Sequence, residues 1–407
     1  MEEISAQELN LHSLEGDLLE SFPLLTELKL GINVVGYFDA STGMGASARS
    51  TAEILEAGGH PVTKFKICVG GDTLPDSQYQ DLYHCGMMNP VSSVTVWNVN
   101  ADMLKNSRFL VPSFGLNPTK NVAVWVWESN IFRNLTKREL LNVDEIWSPS
   151  TYSAASIAAA AELPVHVVPH MIASAQVAAS PKSSLVPSKL RKSKHSIRSL
   201  LGLPDDVKVV AYFFDPRSVP ERKNPMAALQ IFEAAFGGRN DVVFVMKSNG
   251  RFTGYDAEML IEKYNTTQYF FVSERFDEVQ MMELFDELDA YVSPHRAEGF
   301  GLTIAEAIAY GIPVVTHRHT GPMDFIPPDY PGVVGATPVK LATDVSAYPA
   351  NTVWYDIDIE AGAQILREFI DNRGNYAETL ESASREVKAR LSARQIYEDS
   401  VSGLFRN

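Results

Sequence analysis

Apolar positions along the chain fall into two similar series. In the first, GINVVGYF (31–38) has the β-branched and aromatic run of a strand buried on both faces. A glycine-bearing turn follows, and ASARSTAEILEAGG then spaces its apolar residues as a helix does. Further strands are predicted at SVTVWNV (93–99), NVAVWVW (121–127), EIWS (145–148) and VHVVP (165–169), with helical patterns such as YSAASIAAAAEL between them. The second series runs VKVVAYFF (207–214), PMAALQIFEAAF, DVVFVMKS (241–248), QYFFVS (268–273), VQMMELFDELDAYVS (279–293) and IPVVTH (312–317). Strands alternating with helices predict parallel sheets built of βαβ units. Two such halves predict a cleft between them, with ligands at the carboxyl ends of the strands.

Composition narrows the class. A length of 407 residues suits two or three domains, and 45% hydrophobic with 21% charged residues is ordinary for a globular protein. No run reaches the ~18 apolar residues of a membrane span. The acidic, polar start MEEISAQELNLHSLEGDLLE does not read as a secretory signal. The two cysteines, Cys68 and Cys85, argue against a disulfide scaffold and fit a reducing cytoplasm, the expected location. A net charge of −15 argues against nucleic-acid binding. That charge is uneven, at −9 over 1–180, +6 over 181–200 and −12 over 201–407. The acid-free stretch PKSSLVPSKLRKSKHSIRSL reads as a linker, either a solvated connector or a basic strip near an anionic ligand or membrane surface. The expected organisation is a first domain over 1–180, a linker over 181–200, a second domain over 201–387, and a final helix at about 388–407 that crosses back to the first domain.

The densest chemistry is at HRAEGFGLTIAEAIAYG (295–311). Gly299 and Gly301, on either side of Phe300, let backbone approach a ligand closely between a strand end and a helix start. The N–H groups of Gly301, Leu302 and Thr303 would then point outward as an anion site. Glu298 would lie beside that anion. Glu306, about one turn into the helix, could accept two hydroxyls of a diol such as a ribose. A ligand hydroxylated at both ends and anionic in the middle is a nucleotide-diphosphate sugar.

Together with FDELDAYVSPHRA before it and THRHTGPMDFI after it, the motif EGFGLTIAEAIAYGIPVV resembles retaining glycosyltransferase family four. VDEIWSPSTYS and VHVVPHMI resemble that family's N-domain more loosely, with His170 and Met171 in place of its usual Asn-Gly. The resemblance implies an α/β GT-B fold of two Rossmann-like domains facing each other across a cleft. It also implies that Glu298 meets the donor sugar and Glu306 the nucleotide ribose. DPRSVPERKNP (215–225) stands where the family holds the pyrophosphate with an Arg and a Lys; Arg217 and Lys223 fit best, with Arg222 a close competitor. Fixed cations there would stabilise the charge that grows on a departing diphosphate.

Other candidates are weaker. Gly43, Gly45 and Ala48 match G-x-G-x-x-A, but Lys64 and Lys66 occupy the region where a dinucleotide fold wants an acid. Gly45 is therefore read as part of an N-domain loop near donor phosphate or acceptor, with Arg49 either helping there or forming a salt bridge. AVWVWESN has Trp127, Glu128 and Ser129 where the family often has a histidine against the sugar. Glu128 is a candidate toward sugar or acceptor. Trp125 and Trp127 are read as core, or Trp127 as a face for a sugar. Asn98 and Asn100 could line the same cleft. His295 is read as a structural partner of its loop. Asp356 and Asp358 have a metal-like spacing but precede a helical pattern, which favours a cap over a metal site.

The expectation is a retaining glycosyltransferase that moves a sugar from a nucleotide-diphosphate donor to a hydroxyl of a glycan, glycoconjugate or glycoprotein, in glycan assembly. No metal or other cofactor is expected. The rival classes are a nucleotide-cofactor oxidoreductase and a non-catalytic sugar-nucleotide binder.

Overall fold

The structure, a computed structural model, describes residues 31–67, 83–84, 94–101, 103–104, 120–132, 140, 143–172, 196–250, 263–264, 267–276 and 278–405. Both cysteines and residues 181–195 of the basic linker lie outside these residues.

The first half contains β1 (Ile32–Gly36), α1 (Gly43–Ala57), β2 (Val62–Lys66), β3 (Tyr83–His84), β4 (Val94–Asn98), β5 (Lys120–Val124), β6 (Glu145–Ser148), α2 (Thr151–Ala158) and β7 (Val165–Val167). Its strands form one parallel sheet in the order β3-β2-β1-β4-β5-β6-β7. The second half begins with α3 (Ile197–Leu201), β8 (Lys208–Phe214), α4 (Pro220–Lys223), α5 (Pro225–Phe236), β9 (Val242–Ser248) and β10 (Tyr269–Val272). It continues with α6 (Glu278–Glu287), β11 (Ala290–Val292), α7 (Leu302–Ala309) and β12 (Val314–Val315). The second parallel sheet has the order β10-β9-β8-β11-β12. In each sheet the strand order reverses beside β1 or β8, which opens a crevice at the carboxyl edge.

Both sheets are covered on both faces, which is why their strands read as apolar runs. On β1 and β4, Val35 and Trp97 belong to one core; Ile32, Val34 and Val96 belong to the other. On β8 and β9, Val209, Ala211, Val243 and Val245 pack toward α7, while Val210, Tyr212, Phe244 and Met246 pack toward α5.

After β12 an antiparallel hairpin, β13 (Ala336–Lys340) with β14 (Val353–Ile357), projects from the second half. Then follow α8 (Ile359–Asp371), α9 (Ala377–Arg390) and α10 (Ala393–Ile396). Helix α9 packs on α7, where Ser384 Oγ donates to the Ala309 carbonyl at 2.6 Å. The chain then turns at Leu391, whose carbonyl accepts from Ile172 N–H at 3.0 Å. Beyond it, Ile396 and Val401 are buried in the first half's core, and the Tyr397 hydroxyl meets His60 Nε2 at 2.8 Å.

One strand ends earlier than its pattern suggests. β5 stops at Val124, so Trp125 and Trp127 do not alternate within a strand. The Asn100 side chain takes the Val126 N–H at 2.9 Å, and Ser153 Oγ takes that of Trp127 at 2.8 Å. Both amides are thereby withdrawn from a sheet ladder. Trp125 is core, stacked on Phe132 at 6.2 Å between ring centroids.

Candidate active site between the two sheets

The loop after β11 carries Glu298 to the start of α7. Gly301 precedes that helix with φ +95, a left-handed conformation that favours glycine. At Gly299 the two halves touch, since a Cβ there would come within 2.4 Å of Val126 Cγ1 and 3.4 Å of Glu128 Cγ. Ser150 Oγ, from the first half, donates to the Gly299 carbonyl at 2.5 Å. Phe300 is buried between Phe325 and His170. Thr303 Oγ1 accepts from the Tyr291 hydroxyl at 3.0 Å. Leu302, Thr303 and Glu306 are half-buried on the first turns of α7. Seven of the predicted donor-site residues thus share one loop and helix start.

The cations come from a four-residue helix. α4 is flanked by Val219 at φ 54 and Asn224 at φ 58, both unusual for non-glycine residues and especially for a β-branched one. Asn224 offsets its strain with local bonds, as its side chain caps α5 and donates to the Pro294 carbonyl at 3.2 Å. These two bends turn Arg222 and Lys223 inward together. Lys223 Nζ lies 2.5 Å from Glu298 Oε1 and Arg222 Nη1 lies 3.4 Å from Oε2, so both carboxylate oxygens face a cation. Burial alone would raise the Glu298 pKa, but Lys223 and Arg222 overcome it and hold the group down at about 2.

Arg222 is 2% exposed. It donates to the Ala297 carbonyl at 2.6 Å and the Ser218 carbonyl at 3.3 Å, and its Nη2 lies 3.5 Å from Glu128 Oε1 of the first half. Burial works against its charge; Glu128, then Tyr348 and Glu298, more than offset that. Arg217 is placed differently. Its guanidinium grips Asp215 through Nε at 3.0 Å and Nη2 at 2.7 Å at the more exposed rim. Of the two arginines left open by the sequence, Arg222 is therefore the one brought to Glu298.

Across the cleft, the Glu128 carboxylate is held on its other oxygen by the Tyr348 hydroxyl at 3.0 Å. Trp127 is half-buried, tilted against Tyr348 at 5.5 Å, and its indole N–H donates to the Ile131 carbonyl. Ser129 Oγ meets Thr352 Oγ1 at 3.2 Å, and Asn130 accepts from Val353 N–H at 2.8 Å. Asn100 shapes the bend that carries Trp127 and Glu128, rather than presenting its carbonyl oxygen to the cleft.

Other candidates have local explanations. Gly45 is buried, and a Cβ there would stand 2.1 Å from the Ala40 carbonyl oxygen, so its own turn requires glycine. Arg49 donates to the Phe38 and Ala40 carbonyls. Asn98 accepts from Ser47 and Thr51, tying β4 to α1. Lys64 pairs with Glu56, and Lys66 lies 4.0 Å from Asp39. His295 is buried beside His317, whose Nε2 donates to the His295 carbonyl at 2.5 Å. Burial holds both imidazoles neutral, His317 at about 4. Asp358 caps α8 through Ala361 N–H, and Asp356 pairs with Arg296. Among the described residues, no group of three or more His, Cys, Asp or Glu could hold a metal ion.

Several site residues escaped the sequence reading. Tyr348 comes from the hairpin, Thr320 Oγ1 accepts the Glu298 N–H at 3.1 Å, and Asp324 accepts both N–H and Oγ–H of Thr151 at 2.6 Å. Tyr152, at the start of α2, has a buried hydroxyl with no hydrogen-bond partner among the described residues, and burial, Tyr355 and Glu128 raise its pKa. Lys247, at the end of β9, is 3% exposed, donates to Asn249 at 3.0 Å, and is pushed down to about 8 by burial. Tyr152 lay in VDEIWSPSTYS, and Thr320 and Asp324 lay in THRHTGPMDFI, stretches that the sequence singled out without marking these residues. Tyr348 and Lys247 reach the site through chain segments distant in sequence.

Residues 221–346, which contain Arg222, Lys223, the Glu298 loop and α7, match the family model for glycosyl transferases group 1. No curated protein matches the chain. Among solved structures, TarM of S. aureus, solved with fondaparinux, alpha-GlcNAc-glycerol and UDP, is 16% identical with a TM-score of 0.52 over 77% of this chain. The alignment covers 55% of TarM, so this chain spans about half the length of that protein. A glycosyltransferase from Rickettsia africae is 16% identical with a TM-score of 0.64 over 91% of this chain and 96% of its own. HepE of Anabaena, solved with UDP-glucose, is 14% identical with a TM-score of 0.57 over 92% of this chain and 98% of its own. At these identities the likeness is one of fold. The chain has the GT-B fold, and its residues 221–346 match the model for glycosyl transferases group 1.

Proposed function

We propose that the protein is a retaining glycosyltransferase that moves a sugar from a nucleotide-diphosphate donor to an acceptor hydroxyl in the assembly of a glycan or glycoconjugate, in the cytoplasm and without a metal. In this reading residues 1–180 form the acceptor-side domain, with the end of the chain crossing back to it, and residues 201–387 bind the donor. The observation that carries the reading is the ionised Glu298 held by Lys223 and Arg222 at the start of α7, with Glu306 one turn further along. The donor diphosphate lies against the N–H groups of Gly301, Leu302 and Thr303 and against Lys223, and Glu306 takes the ribose hydroxyls.

In the transfer, the bond from the anomeric carbon to the diphosphate breaks while the acceptor oxygen bonds to that carbon from the same face. The acceptor's proton passes to the departing phosphate oxygen. Glu298 stabilises positive charge at the anomeric carbon, and Lys223 stabilises negative charge on the leaving group. Because TarM and HepE were solved with UDP or a UDP-sugar, UDP donors come first in the test. Mass spectrometry of co-purified nucleotide, then a donor panel with a glycan extract, identifies the substrate. Proton NMR of the product reads the configuration. A product of inverted configuration would remove the retaining assignment, and a bound nicotinamide or flavin would replace the transferase reading.

A further inference from the structure

The transferase reading leaves unexplained why the first half sends a carboxylate into the cation cluster of the second. The described contacts of the Glu128 carboxylate are with the second half. One oxygen faces Arg222 Nη2 at 3.5 Å and the other accepts from Tyr348 at 3.0 Å, so both are held by the second half. Arg222 is the shared partner, since its Nη1 reaches Glu298 Oε2 at 3.4 Å and the Ala297 carbonyl at 2.6 Å. The backbone agrees, because Gly299, next to Glu298, packs directly on Val126, Trp127 and Glu128. A buried guanidinium is stable only when its charge is balanced, and Glu298 is shared with Lys223. Glu128 supplies the missing half of that balance from across the cleft.

We propose that Glu128 is a positioning residue that acts through Arg222: it neutralises and orients the guanidinium when the two halves meet, and so fixes Glu298 at the position where it serves the sugar. This inference rests on the transferase reading. It gives the first half a chemical role beyond acceptor binding, because Glu298 would be correctly held only when that half is docked. Glu128 touches neither nucleotide nor phosphate in this scheme.

The test uses the full chain and measures nucleoside diphosphate release from UDP-glucose, GDP-mannose and ADP-glucose, each alone and with a glycan extract. Calorimetry with the matching nucleoside diphosphate reads affinity. Glu128→Gln keeps the shape and is expected to lower kcat about 10–100-fold while nucleotide affinity changes less than about twofold. Glu128→Asp should recover part of the loss. Tyr348→Phe removes only the hydroxyl on the far oxygen and should give a smaller fall of the same kind. In the Arg222→Met background, adding Glu128→Gln should cost nothing further, since the route to Glu298 is already cut. Losses that multiply in the double variant would mean that Glu128 acts directly on substrate and would overturn the inference. An equal fall in nucleotide affinity for Glu128→Gln and Tyr348→Phe would overturn it as well, by showing a general structural role. No release from any donor by the wild type would sink the transferase reading itself, whereas multiplying losses in an active enzyme sink only this inference.

Discussion

Lys223 and Glu298 lie 2.5 Å apart, so the donor enters a pair that is already neutralised. A phosphate must compete for the Lys223 ammonium, which has three N–H donors and can serve both anions. Lys223→Ala should therefore weaken nucleoside diphosphate binding about 10–100-fold, the effect of one charge-assisted hydrogen bond, and leave the bare nucleoside unchanged. Calorimetry with both ligands decides, and equal losses would place Lys223 outside the phosphate site. The two glutamates should differ in kind. Glu306→Gln should raise donor KM more than it lowers kcat; Glu298→Gln should lower kcat roughly 10²–10³-fold with a smaller change in nucleotide affinity. Swapped signatures would reverse their roles. Glu298 should also mark acid stability. Its pKa is held at about 2 against 4.5, so its stabilisation is complete above pH 4.5 and is lost as pH falls toward 2. Urea midpoints from pH 5.5 to 3 should fall more steeply for the wild type than for Glu298→Gln; parallel curves would contradict the assignment. At this scale the glutamates were legible because one short stretch contains both. The choice between Arg217 and Arg222 was not, because it depends on two left-handed residues, Val219 and Asn224, that neither periodicity nor composition marks.

Among elements, α7 does most to define the site, and its start depends on Gly301. An L side chain there meets both φ +95 and a contact of 2.9 Å from its Cβ to Pro322 Cγ. Gly311, after the helix, has φ +72 with nothing within 4 Å of such a Cβ. Each Gly→Ala change should cost about 1–2 kcal/mol from the backbone alone, with Gly301→Ala the larger because of the contact. Denaturant midpoints check this; equal costs would mean that Pro322 yields freely. The α7 pattern, closed by Gly311 and Pro313, was readable because apolar spacing, a glycine stop and a proline all agree. The β13–β14 hairpin was not. Its first strand is mostly exposed and lacks alternation, so only its docking against Trp127, Glu128 and Ser129 reveals its purpose.

For the molecule as a whole, the halves meet through ring contacts, Phe300 with His170 and Trp127 with Tyr348, and through polar contacts: Ser150 with Gly299, Thr151 with Asp324, Ser129 with Thr352, and Asn249 with the Ser41 carbonyl at 3.0 Å. Interfaces of this mixed kind between domains allow relative motion. Small-angle scattering should therefore show a smaller radius of gyration with saturating nucleoside diphosphate than without it. An unchanged profile would mean that the cleft stands preformed. The end of the chain limits that motion, since α9 packs on the second half and the residues after Leu391 pack on the first.

The sequence alone determined the βαβ repetition, the two halves and the carboxylate pair around Gly299 and Gly301, because each is written in local spacing: apolar periods, glycines at turns, two carboxylates within one short stretch. Only tertiary structure decided which arginine faces Glu298, that Asn98, Gly45 and Arg49 serve their own half, and that Glu128 and Tyr348 complete the cluster. Those choices are made by contacts between segments such as Glu128 with Arg222 and Tyr348, which packing brings together and linear patterning does not record.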